Sequence, residues 1–469
     1  AVKSIYQVKI DSTDFIPLKK AIGSIGWKEK KYLDTKKSLV AKLSDIPTKA
    51  SSDYLKELYY AAGDTLELQY AALETLLQQQ TPYSYSVFRD IITVEPPVLN
   101  VNTGNRYRGY SSSYLSRYSR STYGRGYNYS NGSFLDELYD SLSLTKTILP
   151  ELLPLLNLDD YEQTMMKLLG QMVDSNLVKP KDYQPYFSKF LIEAKQELKK
   201  QAIAEKNKAI KKAENDKDDK RSVRDDDEEK DYGNDDLELY ATLLLPYAET
   251  NPNVSPLLQQ MLASGDKELK YNTMLLLLRN NKPIPDTLLR YFAALEQYRY
   301  ELYDDLKDID KRNKFPAQYN NHLDLGRSKL MEEKSYNKPD SIVYIDRLPA
   351  EIKNRKGFVY FFKYKTKKDD MGWKLATVGL VPQDPKKFEF DDIEKPSVND
   401  YYSNIKKGDY FKFDFTGFTD TKIKDEEPLA DQLKKLLKKM LYSKRKSARD
   451  FYEKEGNGYE VTSRVDLGD

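Results

Sequence analysis

The spacing of the apolar residues changes along this chain, and that change restricts the fold more than any other feature. From Thr35 to Val94 the leucines recur mostly at three- and four-residue steps, which is the period of an amphipathic helix. Beyond Asp340 the period becomes two, as in a β-strand, and one strand face carries Phe358, Tyr360, Phe362 and Tyr364. The sequence therefore predicts an α+β protein that is mainly α-helical and continues into a small antiparallel β-sheet domain.

The helical part contains an internal repeat. Seven residues of the segment 67–91 recur 201 positions later, and a Gly-Asp pair precedes both copies. The matched pairs are Glu67/Glu268, Leu68/Leu269, Tyr70/Tyr271, Leu76/Leu277, Leu77/Leu278, Pro82/Pro283 and Arg89/Arg290. Each copy predicts a helix, a turn with proline and a second helix, and such hairpins stack to bury their apolar faces. The pattern resembles HEAT-like or armadillo-like α-solenoids, and the alternative is that unrelated amphipathic helix pairs match by composition.

The same patterns predict three regions. Residues 1–35 form an N-terminal strand and linker, and residues 36–311 form the α-helical repeat domain. A flexible Tyr/Arg/Ser/Gly insertion at 104–133 and a charged linker at 201–236 interrupt this domain. Residues 340–455 form the small β-sheet domain with a C-terminal amphipathic helix.

Aromatic strands dominate the predicted sheet domain. The apolar faces of the strands at 358–364 and 411–415 are rich in Phe and Tyr. We expect a sheet with one buried aromatic face, packed under the C-terminal helix. That helix carries one apolar stripe, formed by Leu429, Leu433, Leu436, Leu437, Met440 and Leu441. The alternative is that the aromatic faces line a ligand pocket.

The residue types present exclude several kinds of site. The chain has no Cys, which removes thiol nucleophiles, disulfides and Cys-ligated metals, and its single His322 is expected to be structural or exposed. Ser443 and Lys446 have Ser-x-x-Lys spacing but sit on a basic helix, and the acidic run 225–229 lacks the alternating spacing of a calcium loop. We therefore predict no catalytic, cofactor-binding or metal-binding residue. A carboxylate pair of the glycosidase type stays open as an alternative.

The segment 104–133 has the most suggestive composition, with seven Tyr and five Arg. Arg neutralises phosphates and Tyr stacks on bases or sugars, so the segment suits a nucleic acid or a glycan. The whole chain has 76 Lys plus Arg against 74 Asp plus Glu, and this balance disfavours nucleic acid. We favour an insertion between helical hairpins and treat glycan or surface adhesion as the alternative. The candidate binding residues are Arg106, Tyr107, Tyr110, Arg117, Tyr118, Tyr123, Arg125 and Tyr127.

Three stretches carry a second resemblance, namely 53–64 (DYLKELYYAAGD), 275–283 (LLLLRNNKP) and 356–364 (KGFVYFFKY). The chain is similar to the C-terminal helical-repeat region of large exported bacterial proteins with a TraB/GumN-like domain. That domain itself is absent, because its Gly-x-x-His motif has no match around His322. The resemblance implies an exported protein of the periplasm or cell envelope with an accessory role, and it transfers no catalytic residue.

These observations predict a non-enzymatic scaffold, or protein-interaction module, that binds a protein partner through an extended helical-repeat surface. The first alternative is an accessory C-terminal region of a larger TraB/GumN-like enzyme whose catalytic domain lies outside this chain. A processed product or fragment is also what the first residue, Ala1, leads us to expect. The second alternative is a carboxylate hydrolase. No run of apolar residues reaches the length of a transmembrane helix.

Overall fold

A computed structural model describes residues 10–26, 30–63, 65–97, 146–147, 149–215, 234–333, 339–352, 355–366, 372–382 and 415–440. The chain forms two compact units, Ala1–Leu276 and Leu277–Asp469. The first unit is built from helices that pack on one another. Their bounds are α1 (Phe15–Ser24), α2 (Lys30–Ala41), α3 (Lys49–Ala61), α4 (Leu66–Gln78), α5 (Pro82–Val94), α6 (Leu149–Leu152), α7 (Asp159–Asp174), α8 (Phe187–Asn215), α9 (Asn234–Leu244) and α10 (Val254–Ala263).

The boundary between the units lies within α11 (Lys267–Arg279). The second unit continues with α12 (Asp286–Ala294), α13 (Glu296–Asp308), α14 (His322–Glu333), β1 (Pro339–Ile352), β2 (Arg355–Thr366), β3 (Lys374–Pro382), β4 (Phe415–Lys422) and a helix over 429–440, here α15. Short 3-10 turns occur at Ser12–Asp14, Lys42–Asp45, Leu153–Asn157, Pro180–Asp182, Gln184–Tyr186, Leu245–Tyr247, Arg312–Lys314 and Ala317–Tyr319.

Local sequence signals fix where several helices begin. At α5, Thr81 and Ser84 form a reciprocal capping box, and Pro82 occupies the first helical position. Proline suits that position because its missing N–H has no intrahelical partner there. The Thr48 hydroxyl caps α3 by accepting a hydrogen bond from the Ser51 amide at 3.2 Å. These caps satisfy backbone donors that a helix start otherwise leaves free.

The Gly-Asp pair of the second repeat copy lies directly before α11 and caps it. The Asp266 carboxylate accepts hydrogen bonds from the Glu268 and Leu269 amides at 2.8 and 3.0 Å, so it caps α11. The Glu205 carboxylate of α8 also accepts from the Gly265 and Asp266 amides, each at 3.0 Å. These hydrogen bonds connect α8 to the start of α11. The corresponding Asp64 lies outside the described residues.

The two repeat copies have the same local structure. The helices α4 and α11 begin and end at positions that differ by the 201 residues of the sequence repeat. Both are followed by a left-handed residue at the matched position, Gln80 with φ 52° and Asn281 with φ 56°. The amide of each donates to the carbonyl three residues earlier, Leu77 at 3.3 Å and Leu278 at 3.0 Å. The predicted helix–turn–helix is therefore confirmed in both copies.

Matched apolar positions are also buried in both copies. The buried pairs are Leu68/Leu269, Leu73/Met274, Leu76/Leu277, Leu77/Leu278, Phe88/Leu289 and Ile91/Phe292. Tyr271 is buried, whereas its counterpart Tyr70 is only half-buried. The repeat thus encodes a common packing pattern, and its solenoid character stays a prediction.

The sheet of the second unit is a meander in the order β1-β2-β3-β4 with antiparallel pairs throughout the described strands. Tyr360, Phe362 and Tyr364 of β2 pack with Leu330 of α14. Val359 and Phe361 point to the opposite face and pack with α15, through Leu433, Leu436 and Leu437. The sheet therefore lies between two helices.

This arrangement corrects one expectation. We expected a single buried aromatic face, covered by the C-terminal helix, but the aromatic row 358–364 packs against α14 and the other face packs against α15. The reason is visible in β2, where Val359 and Phe361 interleave with the aromatic row and make the middle of the strand apolar on both faces. A strand that is apolar on both faces needs a cover on both.

The fold class is confirmed: the protein is α+β, mainly helical, with a small antiparallel sheet and an amphipathic helix near its C-terminus. The helix α8 extends into the predicted charged linker, as far as Asn215. Several predictions lie outside the described residues: the strand in 1–35, the insertion 104–133, the remainder of the linker to 233, Phe411 and Phe413, and positions 441–455. The predicted domain limits stay predictions.

Candidate interaction site

The predicted binding residues lie outside the described part of the chain. All eight, from Arg106 to Tyr127, fall within 98–145. The Ser443 and Lys446 pair and the acidic run 225–229 also lie outside the described residues. His322 is described, and it is the first residue of α14. The predicted binding residues therefore stay a prediction, and a site has to be sought among the described side chains.

A groove in the first unit is the candidate site. It lies where the C-terminus of α5 meets the N-terminus of α7, and it is an open groove with a volume of about 440 Å³. Its lining residues are Ile92, Thr93, Pro96, Asn157, Leu158, Asp159, Asp160 and Tyr161. We call this site the α5–α7 groove.

Two tyrosine hydroxyls hold the backbone around the groove. Tyr161 donates to the Ile92 carbonyl at 2.8 Å, and Tyr59 donates to the Glu95 carbonyl at 2.6 Å. Burial raises the pKa of both hydroxyls, and nearby carboxylates raise it further. Both tyrosines therefore stay protonated and keep donating to the end of α5. These two bonds join three helices at the groove, because Tyr59 lies on α3 and Tyr161 on α7.

The groove combines exposed apolar side chains with carboxylates. The lining residue Leu158 is 40% exposed. Val94, which follows the lining residue Thr93 in the sequence, is 76% exposed. Glu95, Asp159 and Asp160 are exposed as well. An apolar surface with acidic groups suits a partner segment that carries apolar and basic side chains.

Sequence reasoning missed Val94 and Leu158. Both are apolar residues at helix boundaries: Val94 ends α5 just before Pro96-Pro97, and Leu158 precedes the Asp159-Asp160 start of α7. The sequence signal that could have identified Val94 and Leu158 is that each is an apolar residue outside the apolar stripe of its helix. Periodicity identifies which residues share a helix face, but it does not show what lies beside a helix end.

One cluster of charged side chains in the described part of the first unit contains two carboxylates and a lysine, and it is the candidate for a hydrolase site. Lys189 Nζ lies 2.9 Å from Glu162 Oε1 and 3.8 Å from Glu193 Oε1, and the Tyr240 hydroxyl donates to Glu193 Oε2 at 3.2 Å. Burial raises the pKa of Glu193, and the neighbouring Glu162 raises it further.

The geometry of this cluster does not favour glycoside hydrolysis. Lys189 Nζ contacts both carboxylates, so a lysine rather than an open space for a substrate joins Glu162 to Glu193. Paired glycosidase carboxyls stand at least about 5 Å apart, because the scissile bond lies between them. Lys189 and Tyr240 join α8 to α7 and α9 through this cluster, so its contacts stabilise the packing of three helices. The cluster thus lends no support to the hydrolase alternative.

The described ranges contain neither a metal-binding group of side chains nor a helix that could span a membrane. No group of three His, Asp or Glu side chains is arranged to hold a metal ion among the residues with described positions. None of the helices in the described ranges combines the length and apolar character needed to cross a membrane. Comparison with family models, with curated proteins and with solved structures finds no match for this chain, so both resemblances stay predictions.

Proposed function

We propose that the chain is a protein-interaction module whose helical unit binds a protein partner through exposed residues between its helices. The observation that carries this proposal is the α5–α7 groove, which is lined by the exposed Leu158, Asp159 and Asp160; the exposed Val94 and Glu95 lie between its lining residues Thr93 and Pro96 in the sequence. Exposed apolar side chains within a polar rim are the usual composition of an interaction surface. The repeated hairpin supports the proposal, because stacked hairpins present extended surfaces.

The alternative of an accessory region in a larger TraB/GumN-like enzyme rests on the sequence resemblance alone. The same is true of export to the periplasm or cell envelope. The complete gene product tests both, since it shows whether a TraB/GumN-like domain or a signal peptide precedes Ala1. The proposal of an interaction module holds in either case.

A pulldown with a groove variant tests the proposal. The Val94→Ser/Leu158→Ser double variant removes the exposed apolar groups, and serine at position 158 is also a favourable N-cap for α7. We expect wild-type protein to recover a stoichiometric partner from extracts of its native cells and the double variant to recover several-fold less. Ile16→Ser is the matched control, because Ile16 is 68% exposed and lies on α1, away from the groove lining.

Two results would contradict the proposal. One is the absence of any stoichiometric partner with the wild-type protein. The other is equal recovery by the double variant and the Ile16→Ser control, which would remove the groove from the interaction. Far-UV circular dichroism of the three proteins confirms that the variants are folded.

A further inference from the structure

The long helix α8 has an apolar line on the side that faces away from its neighbours. Its core side is well packed: Phe190 and Ala194 are fully buried, and the Phe190 ring lies 6.3 Å from that of Tyr240 on α9. Three isoleucines lie outside this packed side. Ile192 is 56% exposed, Ile203 54% and Ile210 48%.

The three isoleucines form one straight stripe. At about 100° per residue, positions 192, 203 and 210 fall within roughly 20° of each other around the helix. The buried Gln201 lies about 180° from Ile192 by the same geometry, so the stripe is opposite the core side. With a rise of about 1.5 Å per residue, the stripe is about 27 Å long. We call it the α8 stripe.

One flank of the α8 stripe is basic, and the other carries a single lysine, Lys200, which pairs with Glu197. Lys195, Lys199 and Lys206 lie along one side within about 60° of Ile192, and all three are exposed. Gln196, Lys200 and Asn207 lie along the other side and are exposed too. The acidic residues of this part of α8 lie farther around the helix, where Glu193 and Glu205 contact neighbouring elements. The exposed side of α8 is therefore apolar at its centre and positive along one margin.

We propose that the α8 stripe is the docking surface for an amphipathic α-helix of a partner protein, with apolar residues on one face and carboxylates beside them. The inference rests on the proposed function as an interaction module and assigns it a second surface and a partner chemistry. Isoleucines spaced 11 and 7 residues apart lie on one side of a helix. A second helix packs against such an apolar line along the first. Carboxylates beside that seam would pair with Lys195, Lys199 and Lys206.

Charge argues against a second copy of this chain as the occupant. Two copies of α8 paired along the stripe would bring lysines of both copies to the seam with no exposed carboxylate opposite them, because the exposed charged residues beside the stripe are Lys195, Lys199, Lys200 and Lys206. The helix α15 of another copy is no better, since its exposed side carries Lys434, Lys435, Lys438 and Lys439.

The width of the stripe argues against a membrane surface. A helix that lies in a bilayer interface needs a broad apolar face with large side chains. The α8 stripe is one residue wide, and lysines border it closely. A partner helix can contact so narrow a line along its whole length, so the geometry favours a protein.

Photocrosslinking from position 203 tests the proposal. A photoreactive amino acid replaces Ile203 in the full chain, and a second protein carries it at the equally exposed position 16 as the control. Both proteins are irradiated in extracts of their native cells, and the crosslinked peptides are sequenced. We expect position 203 to capture one peptide from another protein, with apolar residues at three- and four-residue spacing and an excess of Asp and Glu.

Charge reversal then tests the role of the lysines. Lys199→Glu is expected to reduce the yield of this adduct by fivefold or more, whereas Lys439→Glu on α15 leaves it unchanged. Ile203→Ser is expected to keep the urea midpoint of the wild-type protein, which separates binding from folding. An adduct to lipid, to another copy of this chain or to a basic peptide would overturn the proposal, as would a yield no higher than at position 16.

The test also separates this inference from the proposed function. If the α5–α7 groove pulldown recovers its partner but position 203 yields no acidic peptide, the interaction module stands and the α8 stripe is wrong. If both fail, the proposed function fails with it.

Discussion

Gln80 and Asn281 occupy the same left-handed position after matched helices, and they allow the cost of that conformation to be compared within one protein. A non-glycine residue there costs about 1 kcal/mol, and asparagine tolerates it better than glutamine does. We expect Gln80→Gly to raise the free energy of unfolding by about 0.5–1 kcal/mol, after the larger entropy of the unfolded glycine chain is subtracted. Urea unfolding measures this difference.

Asn281→Gly is the matched comparison for Gln80→Gly. Its effect should stay within about 0.3 kcal/mol, because asparagine is already suited to this backbone and its contact with Lys311 at 2.6 Å is exposed. An equal increase in the free energy of unfolding for Gln80→Gly and Asn281→Gly would show that the cost of the left-handed conformation does not depend on the side chain. The sequence shows that residues 80 and 281 are equivalent, but the positive φ follows from how each helix ends, which sequence periodicity does not encode.

Helices and strands were largely predictable here because each has a distinct apolar period. The prediction succeeded for the repeated hairpin and for β2, and it was wrong about what covers the aromatic row 358–364. Which helix covers which face depends on contacts far apart in sequence. The α8 stripe was missed for another reason: the stretch that contains Ile203 and Ile210 is so rich in charge that its three-isoleucine seam did not stand out.

Gln79 joins the end of α4 to the segment between α2 and α3. Its buried side-chain amide donates to the Leu43 carbonyl at 2.9 Å and to the Ser51 hydroxyl at 2.8 Å, and it accepts from the Ser52 hydroxyl at 2.7 Å. We expect Gln79→Ala to lower the free energy of unfolding by about 2–3 kcal/mol, because it leaves buried polar groups without partners. Chemical denaturation measures the loss.

The repeat supplies the control for Gln79→Ala. The matched residue in the second copy is Asn280, which is exposed. Asn280→Ala should change the stability by less than about 0.5 kcal/mol. If both substitutions cost the same, the buried network is not the source of the effect. The repeat is not identical at this pair. In the first copy Gln79 makes hydrogen bonds to the Leu43 carbonyl and to the hydroxyls of Ser51 and Ser52, whereas in the second copy Asn280 is exposed.

The sheet of the second unit has an apolar cluster on each face, and one of these clusters depends on α15. Val359, Phe361 and Leu375 are fully buried on the sheet face that α15 covers. The sequence predicted this amphipathic helix from its leucine spacing, and Leu433, Leu436 and Leu437 of the predicted stripe are buried, whereas Leu429 is exposed. Removing one of them should therefore weaken the sheet domain without loosening the helices of the first unit.

Leu433→Ala tests this separation. Leu433 is 1% exposed, so we expect the substitution to lower the free energy of unfolding of the second unit by about 2–4 kcal/mol. Hydrogen–deuterium exchange should become faster in β2 and β3 and stay unchanged in α3, α4 and α5, because local opening follows the unit whose core is damaged. Leu429→Ala is the control on the same helix: Leu429 is 36% exposed, and its loss should leave exchange in the sheet nearly unchanged. Faster exchange in α3–α5 would show that the two units unfold together, and an unchanged sheet in Leu433→Ala would show that α15 does not stabilise it.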